Sequence, residues 1–322
     1  MSELKFEGRK IIVIGDVMID RYLEGNVAGI SPEADVPVFR KQAVSNYLGG
    51  AANVAVNISN LGAKAILIGL RGNDPIGAEL KSLLDENLNI IDYTITCPRI
   101  TTVKTRIISD DKHLIRIDSE DNRVVSESIE VQLLQQIQKA IKEECPDGIV
   151  FQDYNKGMLT PNIITEVIAL SKNMGIKTFV DPKFQNIEAY RHATLFKPNK
   201  KELEYLIQEQ LSIGEMKSGE ILESLRQRMD CKFLVVTVGA DGIIYVDNRG
   251  IHHHPAIDQD IVDVCGAGDT VISILATALC SDYSIDDAVV LANIGGGQVC
   301  GVSGVKAVNY TELKKEYTGN HR

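Results

Sequence analysis

The stretch Asp263-Val264-Cys265-Gly266-Ala267-Gly268-Asp269-Thr270 places three small residues directly before a carboxylate. The apolar run at 271–279 predicts that a helix begins here, with its first N–H groups pointing towards the small residues. Such a helix end attracts phosphate, and the backbone amides of residues 265–268 could stabilise a transferring phosphoryl group. Asp269 in the first turn could orient a substrate hydroxyl and accept its proton. The stretch therefore predicts a phosphoryl-transfer site, although a tight turn capped by Asp269 would use the same residue types.

A second glycine-rich element, Gly49-Gly50-Ala51-Ala52-Asn53, precedes another helical pattern at 54–61. Its small residues would let the backbone approach a ligand closely, and the Asn53 amide offers both a donor and an acceptor. We therefore expect Gly49, Gly50 and Asn53 to lie beside a bound substrate. A plain helix start is the alternative explanation for the two glycines.

Strand-like and helical segments alternate along most of the chain. Strands are predicted at 10–15, 65–70, 148–152, 177–180 and 232–238, and helices at 52–61, 76–86, 126–144, 161–173, 200–209, 218–229, 267–279 and 285–301. This alternation is typical of a parallel sheet wrapped by helices. It breaks at 22–44 and 90–117, where strand-like segments follow one another without helices. These insertions are predicted to form one small β-sheet lid in a single domain covering residues 1–322.

The two glycine-rich elements together resemble the signature regions of the ribokinase-like (PfkB) sugar kinases. Asn53, Gly62 and Gly72 stand at that family's spacing, Asn199-Lys200-Lys201-Glu202 is similar to its Asn-x-x-Glu motif, and residues 237–242 are similar to its nucleotide-side turn. The resemblance covers essentially all 322 residues. It implies an α/β fold, a three-layer sandwich with a mostly parallel central sheet and a small β-sheet lid, and the use of ATP with Mg²⁺. It also implies a homodimer that pairs through the lid, and it leaves a need for K⁺ open.

Within that family the chain resembles the branch that phosphorylates D-glycero-D-manno-heptose 7-phosphate on the way to ADP-heptose. The residues that carry this likeness include Gly15-Asp16-Val17-Met18-Ile19-Asp20-Arg21-Tyr22, Ile30-Ser31-Pro32-Glu33-Ala34, Leu114-Ile115-Arg116-Ile117-Asp118, Asp153-Tyr154-x-Lys156-Gly157 and Asp181-Pro182-Lys183. The resemblance implies transfer to the anomeric hydroxyl, giving a 1,7-bisphosphate. Another ribokinase-like activity, on fructose 6-phosphate, ribose or a nucleoside, is the first alternative. A sugar-phosphate-binding regulator without catalysis is the second.

Two carboxylates follow the first predicted strand. Open α/β sheets bind ligands beyond the carboxyl ends of their strands, which favours Asp16 as a sugar ligand with Asp20 close by. A turn or helix cap is the structural alternative for Asp16. Asp20 could equally form an ion pair with Arg21 or Lys41.

Basic residues on the predicted lid strands are candidates for binding a distal phosphate. Lys104, Arg106 and Arg116 alternate with apolar residues, so their charged groups should share one lid face and could clamp a 7-phosphate. A solvated strand face is the alternative for each of them. Asp153 and Lys156 follow another predicted strand, and we assign both to the substrate, with contact to the polyphosphate as the alternative.

The nucleotide must be bound without a Gly-x4-Gly-Lys-Ser/Thr loop, because the chain has none, and this excludes the P-loop kinases. The family resemblance implies that Asn199 and Glu202 act through magnesium and water, so that Glu202 meets the metal only indirectly. The other candidate nucleotide contacts are Lys183 at a strand end, Thr237, Gly239, Gly242, Cys265 beside the anion site, and Asn293 at the adenine. A first-turn helix charge for Glu202 and a helix-surface amide for Asn293 are the alternatives.

Composition narrows the class of protein. Hydrophobic residues make up 44% and charged residues 24%, as in ordinary globular domains, and the net charge of −10 disfavours a general nucleic-acid binder. No apolar run approaches the length of a membrane span and residues 1–5 show no leader pattern, so we expect a cytoplasmic protein that does not bind membranes. The six cysteines show no disulfide or zinc spacing, so reduced thiols are expected.

Three features depart from the broad family pattern. Ile274 stands where a small residue is usual, although the heptose branch is also bulky there, and Ser273 replaces a common glycine. Gly295-Gly296-Gly297 lies inside a helical pattern, where each glycine costs about 1 kcal/mol relative to alanine, and packing against the nucleotide could justify it. The chain ends at Arg322 without a His-x-Gly-His motif, so we expect it to make only the phosphorylated intermediate.

Overall fold

The computed structural model describes residues 4–110, 112–210, 216–257, 261–302 and 304–320. The strands are β1 (Lys10–Gly15), β2 (Val17–Ile30), β3 (Pro37–Gly50), β4 (Lys64–Ile68), β5 (Leu70–Gly72), β6 (Ile90–Asp92), β7 (Ile95–Cys97), β8 (Thr102–Ser109), β9 (Lys112–Ser119), β10 (Gly148–Gln152), β11 (Lys177–Asp181), β12 (Leu195–Phe196), β13 (Phe233–Thr237), β14 (Ile243–Asp247) and β15 (Gly250–His254). The helices are α1 (Ala51–Asn60), α2 (Pro75–Asp85), α3 (Glu127–Glu144), α4 (Pro161–Met174), α5 (Lys200–Ile207), α6 (Met216–Met229), α7 (Ala267–Cys280), α8 (Ile285–Cys300) and α9 (Tyr310–Asn320).

The central sheet runs through the described residues in the order β15-β14-β13-β12-β11-β10-β1-β4-β6. Neighbouring strands from β13 to β6 are parallel, and helices connect most of them. The edge hairpin of β14 and β15 is antiparallel and was not among the predicted strands. The predicted mostly parallel α/β sheet is therefore confirmed.

Helices cover both faces of this sheet, which explains why its inner strands are apolar along their whole length. In β1, Ile11 and Val13 pack into a cluster with residues of α1, α7 and α8. Ile12 and Ile14 point the other way, into a cluster with residues of α3 and α4. Alternate side chains of the strand thus pack into two separate cores, one on each face of the sheet. This arrangement is the predicted three-layer sandwich.

A second sheet, in the order β3-β2-β8-β9, forms the lid. Two antiparallel pairs, β2 with β3 and β8 with β9, are joined by the parallel pairing of β2 with β8. These strands cover 17–50 and 102–119, so they differ from the predicted insertions at 22–44 and 90–117. A single residue, Asp16, separates β1 from β2, so no turn residue marks where the lid begins. Residues 90–97 instead form β6 and β7, which pair with β4 and β5.

Helices α7 and α8 pack closely through the unusual glycines. A Cβ atom at Gly295 would lie 2.2 Å from Cδ1 of Ile274, and one at Gly296 would lie 3.1 Å from Cγ2 of Val271. The bulk of Ile274 is therefore accommodated by the missing side chain opposite it. The close packing of α7 against α8 explains Gly295 and Gly296. The suggested packing against a nucleotide is not needed to explain these two glycines.

Helix α7 is apolar enough to be buried from Asp269 to Cys280, but it has only 14 residues. A membrane-spanning helix needs about 20 consecutive apolar residues. Within the described ranges, no helix has both the length and the hydropathy required to cross a bilayer.

Candidate active site

The carboxyl ends of β1, β10 and β11 lie side by side, because the parallel register pairs Gly15 with Gln152 and Gln152 with Asp181. Helix α7 begins over this edge, since the Asp269 carboxylate in its first turn accepts a hydrogen bond from the Gln152 side chain at 3.0 Å. The edge is where open α/β sheets bind ligands. The predicted catalytic carboxylate and the predicted sugar-binding edge therefore meet.

Three donors hold the Asp269 carboxylate. Oδ1 accepts from Gln152 Nε2 at 3.0 Å and from the Tyr154 hydroxyl at 2.8 Å. Oδ2 accepts from Asn53 Nδ2 at 2.8 Å. Asn53 is itself held by Asn57, which lies one turn further along α1 and donates to it. The carboxylate is thus fixed by α1 on one side and by the end of β10 on the other.

Burial is the main cause that raises the pKa of Asp269 to about 7. The hydrogen bonds from Asn53 and Tyr154 act in the opposite direction, and the charges of Asp181 and Asp20 raise the pKa again. A carboxyl group whose pKa lies near neutral pH is suited to act as a general base.

The loop before α7 contributes fewer free amides than predicted. The Cys265 amide donates to the Asp263 carboxylate at 3.0 Å, and the Ala267 amide donates to the Val264 carbonyl at 3.3 Å. Among the described residues, the amides of Gly266 and Gly268 have no acceptor. Gly266 has a φ of 81°, in the left-handed region that favours glycine, and no side chain in the described part of the chain caps the helix. The predicted four-amide cradle is therefore corrected to these two amides.

The thiol of Cys265 is not poised for nucleophilic chemistry. Its burial raises the pKa, and the nearby carboxylate of Asp263 acts in the same direction, although Arg106 opposes it. The residue therefore stays a protonated thiol beside the loop.

A buried ion pair lies behind Gly268. Lys197 Nζ is 3.0 Å from Asp181 Oδ2, and the two residues are 2% and 5% exposed. A Cβ atom at Gly268 would lie 3.9 Å from Lys197 Nζ and 3.7 Å from Asp181 Oδ2. Lys197 therefore brings a desolvated ammonium group to the start of α7, where the free amides also favour an anion.

Asp16 is buried at the end of β1, and a turn after β10 holds it. Its Oδ2 accepts from the backbone N–H groups of Tyr154 at 2.8 Å and of Lys156 at 3.1 Å. Burial, followed by the charge of Asp153, raises the pKa of Asp16 to about 7. No described residue donates to its Oδ1.

Asp20 pairs with Arg106, and both residues are buried. The pair joins β2 to β8 of the lid. Arg106 also lies over the ring of Tyr22, with Cζ 5.2 Å from its centroid. The alternative of an ion pair with Arg21 or Lys41 is not the one formed, because Asp20 pairs with Arg106 and Arg21 pairs with Glu79 at 2.7 Å.

The paired glycines make room for these carboxylates. A Cβ atom at Gly49 would lie 2.1 Å from Asp20 Oδ2, and one at Gly50 would lie 2.4 Å from the Asp16 carbonyl oxygen. Gly50 also has a φ of 58°, which side chains rarely adopt. Both glycines therefore allow the lid and β1 to approach the start of α1, and of this element only Asn53 brings a functional group to Asp269.

The three basic residues of the predicted phosphate clamp lie on one face of the lid. In the register of β8 with β9, Arg106 is opposite Arg116 and Lys104 is opposite Asp118. The cations of the clamp are not free, however. Lys104 Nζ is 3.2 Å from Asp118, and Arg116 Nε is 2.9 Å from the same carboxylate. The clamp is thus neutralised by acids of its own sheet, and a phosphate would have to compete with them.

Asp153 and Lys156 are also engaged within the protein. Asp153 accepts from the Asn155 amide at 2.8 Å and from the Tyr190 hydroxyl at 2.9 Å. Lys156 Nζ lies 2.7 Å from Glu120. Asp153 therefore shapes the turn that holds Asp16, and only Lys156 has a charged group near the lid.

On the nucleotide side, Asn199 and Glu202 form a capping box at the start of α5. The Asn199 side chain accepts from the Glu202 amide at 2.9 Å, and Glu202 Oε2 accepts from the Asn199 amide at 2.8 Å. Glu202 Oε1 accepts from Lys183 Nζ. Lys183 also lies 5.5 Å from the ring centroid of Tyr154. Glu202 is buried, and each of its two carboxylate oxygens accepts one hydrogen bond from the protein.

The remaining predicted nucleotide residues surround the end of β13. Thr237 bridges to Asn199, and Gly239 begins a short 3₁₀ turn with open space where a side chain would stand. A Cβ atom at Gly242 would lie 2.1 Å from the His254 carbonyl oxygen, so this glycine allows the β14–β15 hairpin to form. Asn293 donates to the Pro255 carbonyl at 2.6 Å and fixes the chain after β15.

Sequence reasoning missed Gln152, Tyr154 and Lys197. Gln152 ends β10 and Tyr154 follows two residues later, so the strand-end rule that selected Asp153 could have selected both. Lys197 follows the short strand β12, and no periodicity distinguishes a buried lysine from an exposed one. Its position two residues before Asn199, which opens the Asn-x-x-Glu motif, was the available signal.

Comparison with protein families shows what class of protein this fold and site define. The family model of the pfkB family carbohydrate kinases matches residues 9–312, and the chain belongs to that family. The protein is therefore a phosphotransferase that uses an alcohol group as acceptor, and kinases of this family use ATP, generally with Mg²⁺.

Among curated relatives, the chain is 36% identical over 314 residues to the bifunctional protein HldE of Hyphomonas neptunium, covering 95% of this chain and 63% of the relative. It is 38% identical over 325 residues to the bifunctional protein HldE of Magnetococcus marinus, covering 97% of this chain and 64% of the relative. The chain thus spans somewhat under two thirds of the length of these relatives.

Among solved structures, phosphofructokinase-2 from Escherichia coli in complex with substrates and products superposes with a TM-score of 0.80 at 22% identity. The match covers 98% of this chain and 100% of that one. At this identity the likeness establishes the shared fold, including the lid.

Proposed function

We propose that this chain transfers the γ-phosphoryl group of ATP to the anomeric hydroxyl of D-glycero-D-manno-heptose 7-phosphate, giving the 1,7-bisphosphate in ADP-heptose synthesis. Two lines support the choice of sugar. The motif residues of β2, β9 and the turn after β10 resemble the heptose 7-phosphate kinases. The curated relatives named bifunctional protein HldE align with nearly the whole chain.

The observation that carries the proposal is the position of Asp269. It combines a buried carboxylate of raised pKa with two free backbone amides at the same helix start. Phosphoryl transfer to a hydroxyl requires a base for the hydroxyl proton and donors for the charge on the phosphoryl group. The first turn of α7 offers both.

In the proposed reaction, Asp16 and Asn53 orient the sugar, and Asp269 accepts the proton of the anomeric hydroxyl. The hydroxyl oxygen forms the bond to the γ-phosphorus while the bond to the bridging oxygen breaks, so that ADP leaves with the electron pair. The amides of Gly266 and Gly268, with Lys197 behind them, stabilise the charge on the transferring group.

The donor set fits a metal that travels with the nucleotide. Within the part of the chain that the structure describes, no three His, Cys, Asp or Glu side chains are grouped as metal ligands. Glu202 would therefore hold a Mg²⁺ ion through water. When bound, that ion neutralises phosphate charge and so lowers the barrier to attack by an oxygen nucleophile.

The proposal extends to assembly and location. The lid exposes apolar side chains on both its insertions, including Val27 at 43%, Ile30 at 62% and Ile115 at 56% exposed. Exposed apolar surface can mark an interaction site, so we propose a homodimer that pairs through the lid. We propose the cytoplasm as its location, since ATP and sugar phosphates are found there.

The proposal is tested by steady-state kinetics with Mg-ATP, with and without K⁺, on heptose 7-phosphate, unphosphorylated heptose, fructose 6-phosphate, ribose and adenosine. We expect kcat/KM to be highest for heptose 7-phosphate. Arg106→Gln should raise the KM for heptose 7-phosphate about 10- to 100-fold, the range expected for a lost charge-assisted hydrogen bond. The KM values for ATP and for unphosphorylated heptose should change little, which separates a lost phosphate contact from disturbance of the buried pair with Asp20.

Lys112→Gln is the matched control, because it removes one exposed positive charge at the lid tip. It should leave both KM values near those of the wild type. A higher kcat/KM for fructose 6-phosphate or ribose would replace the heptose assignment and keep the kinase. Equal turnover of heptose with and without its phosphate would refute binding of the distal phosphate by the lid.

A further inference from the structure

The hydrogen bonds of Asp269 distinguish its two oxygens. A carboxylate oxygen has two lone pairs available for hydrogen bonds. Oδ1 uses both, because it accepts from Gln152 and from Tyr154. Within the described ranges, Oδ2 accepts from Asn53 alone. One lone pair is therefore left, and it belongs to Oδ2.

Tyr154 touches more of the site than any other residue of the turn after β10. Its backbone N–H donates to Asp16 Oδ2 at 2.8 Å, and its hydroxyl donates to Asp269 Oδ1 at 2.8 Å. Lys183 lies over its ring, with Nζ 5.5 Å from the ring centroid. One residue thus links the candidate sugar ligand, the base and the nucleotide side.

The backbone around Tyr154 is held firmly. Asn155 adopts a left-handed φ of 55°, and its amide donates to Asp153 at 2.8 Å. The Asp153 amide donates to the Asp181 carbonyl at 3.1 Å, and the Lys156 amide donates to Asp16. Because the turn is tied to β1 and β11, the position of the Tyr154 hydroxyl is set by the sheet.

We propose that Tyr154 is a positioning residue for phosphoryl transfer: together with Gln152 it saturates Oδ1 of Asp269, so that the base acts through Oδ2, and its hydrogen bond favours the charged form of the carboxyl group. This proposal rests on the proposed kinase function and deepens it. In the reaction the hydroxyl proton of the acceptor moves to Oδ2, while the oxygen attacks the γ-phosphorus. Tyr154 keeps its own proton throughout.

The electrostatic surroundings agree with a donating tyrosine. Burial, and then the charges of Asp269 and Asp181, raise the pKa of Tyr154 well above its usual value, so the hydroxyl can donate to the carboxylate but does not ionise. A donor to the charged form of an acid lowers the pKa of that acid. The other groups that face Asp269 are Asn53 on α1, Gln152 on β10, Asp181 on β11, Lys183 after β11, Lys197 after β12 and Asp20 on β2.

Tyr154→Phe is the test, because it removes the hydroxyl and keeps the ring and the backbone bond to Asp16. Losing one hydrogen bond to the carboxylate should move the acidic limb of the kcat profile up by about 1–2 pH units. At pH 7.5 kcat should then fall about 3- to 30-fold, with recovery towards the wild-type value above pH 9 and little change in KM. Recovery at high pH separates a positioning role from a loss of folding.

Tyr317→Phe is the matched control, since it removes another tyrosine bond to a carboxylate, to Asp287 at 2.7 Å, in α9. Its pH profile should match the wild type. Placing 3,5-difluorotyrosine at 154 provides a second variant, because a more acidic phenol is a stronger donor and should move the acidic limb to lower pH. A pH-independent fall in kcat, an unmoved limb in both 154 variants, or an effect on KM alone would overturn the proposal.

A readout without turnover separates this proposal from the kinase proposal. The ¹³C resonance of the Asp269 carboxyl, identified by its loss in Asp269→Asn, reports the pKa of Asp269 directly. That pKa should rise in Tyr154→Phe even if no tested sugar is phosphorylated. An inactive wild type would therefore contradict the function, whereas an unchanged Asp269 pKa would contradict the role of Tyr154.

Discussion

Replacing Asp269 with asparagine should remove activity and, at neutral pH, relieve a cost in stability. The carboxyl has a pKa of about 7 in the folded protein, against 3.8 for the free side chain. The folded state therefore binds the proton more tightly than the unfolded chain, so the stability from this group is fully present below about pH 4 and is lost as the pH rises through 7. Between pH 5 and pH 8 this loss amounts to about 2–3 kcal/mol.

Asparagine at 269 does not titrate, so the variant does not lose this stability as the pH rises. The free energy of unfolding of the variant minus that of the wild type should therefore increase by about 2–3 kcal/mol from pH 5 to pH 8. Asp16 also titrates near 7, but it is present in both proteins and cancels in the difference. Urea unfolding of both proteins at the two pH values measures this change. The kcat of the variant should be about 10²–10⁴ lower, because the amide cannot accept the proton. A stability difference that is independent of pH would refute the buried, ionised base.

Two predictions concern the supports of the site. Lys197→Met should destabilise the protein by about 3–5 kcal/mol, because it leaves Asp181 buried without its cation, and the added change Asp181→Leu should restore much of that loss in urea unfolding. Equal stability of the single and double variants would contradict the pairing. Gly295→Ala should destabilise by about 1–3 kcal/mol, although alanine favours helix, since its Cβ would meet Ile274 Cδ1 at 2.2 Å. Ile274→Val removes that atom and should lessen the cost, and a higher Tm for Gly295→Ala alone would disprove the packing argument.

The sequence predicted the parts of the fold that local patterns determine. The strands at 10–15 and 148–152 match β1 and β10, and the start of α7 at Ala267 is as predicted. Continuous apolar runs bounded by glycine or polar residues carry enough information for these elements. The lid was harder to delimit, because β2 follows β1 after the single residue Asp16.

Contacts between distant residues could not be predicted from local patterns. Asp20 and Arg106 are 86 positions apart, and only the parallel pairing of β2 with β8 brings them together. The same holds for Gly295 and Ile274, whose fit depends on how α7 crosses α8. The hydrogen bond of Tyr154 to Asp269 spans 115 positions. Residue types identified the base, but the tertiary structure was needed to find what holds it.

The central claim is tested most directly by identifying the product. Wild-type protein, Mg-ATP and heptose 7-phosphate labelled with ¹³C at C1 should give a product whose C1 signal is split by a new phosphorus, with one ADP formed for each. Asp269→Asn should give none in the same time. A phosphate on any other carbon, or ADP formed without loss of the free anomeric signal, would contradict transfer to the anomeric hydroxyl.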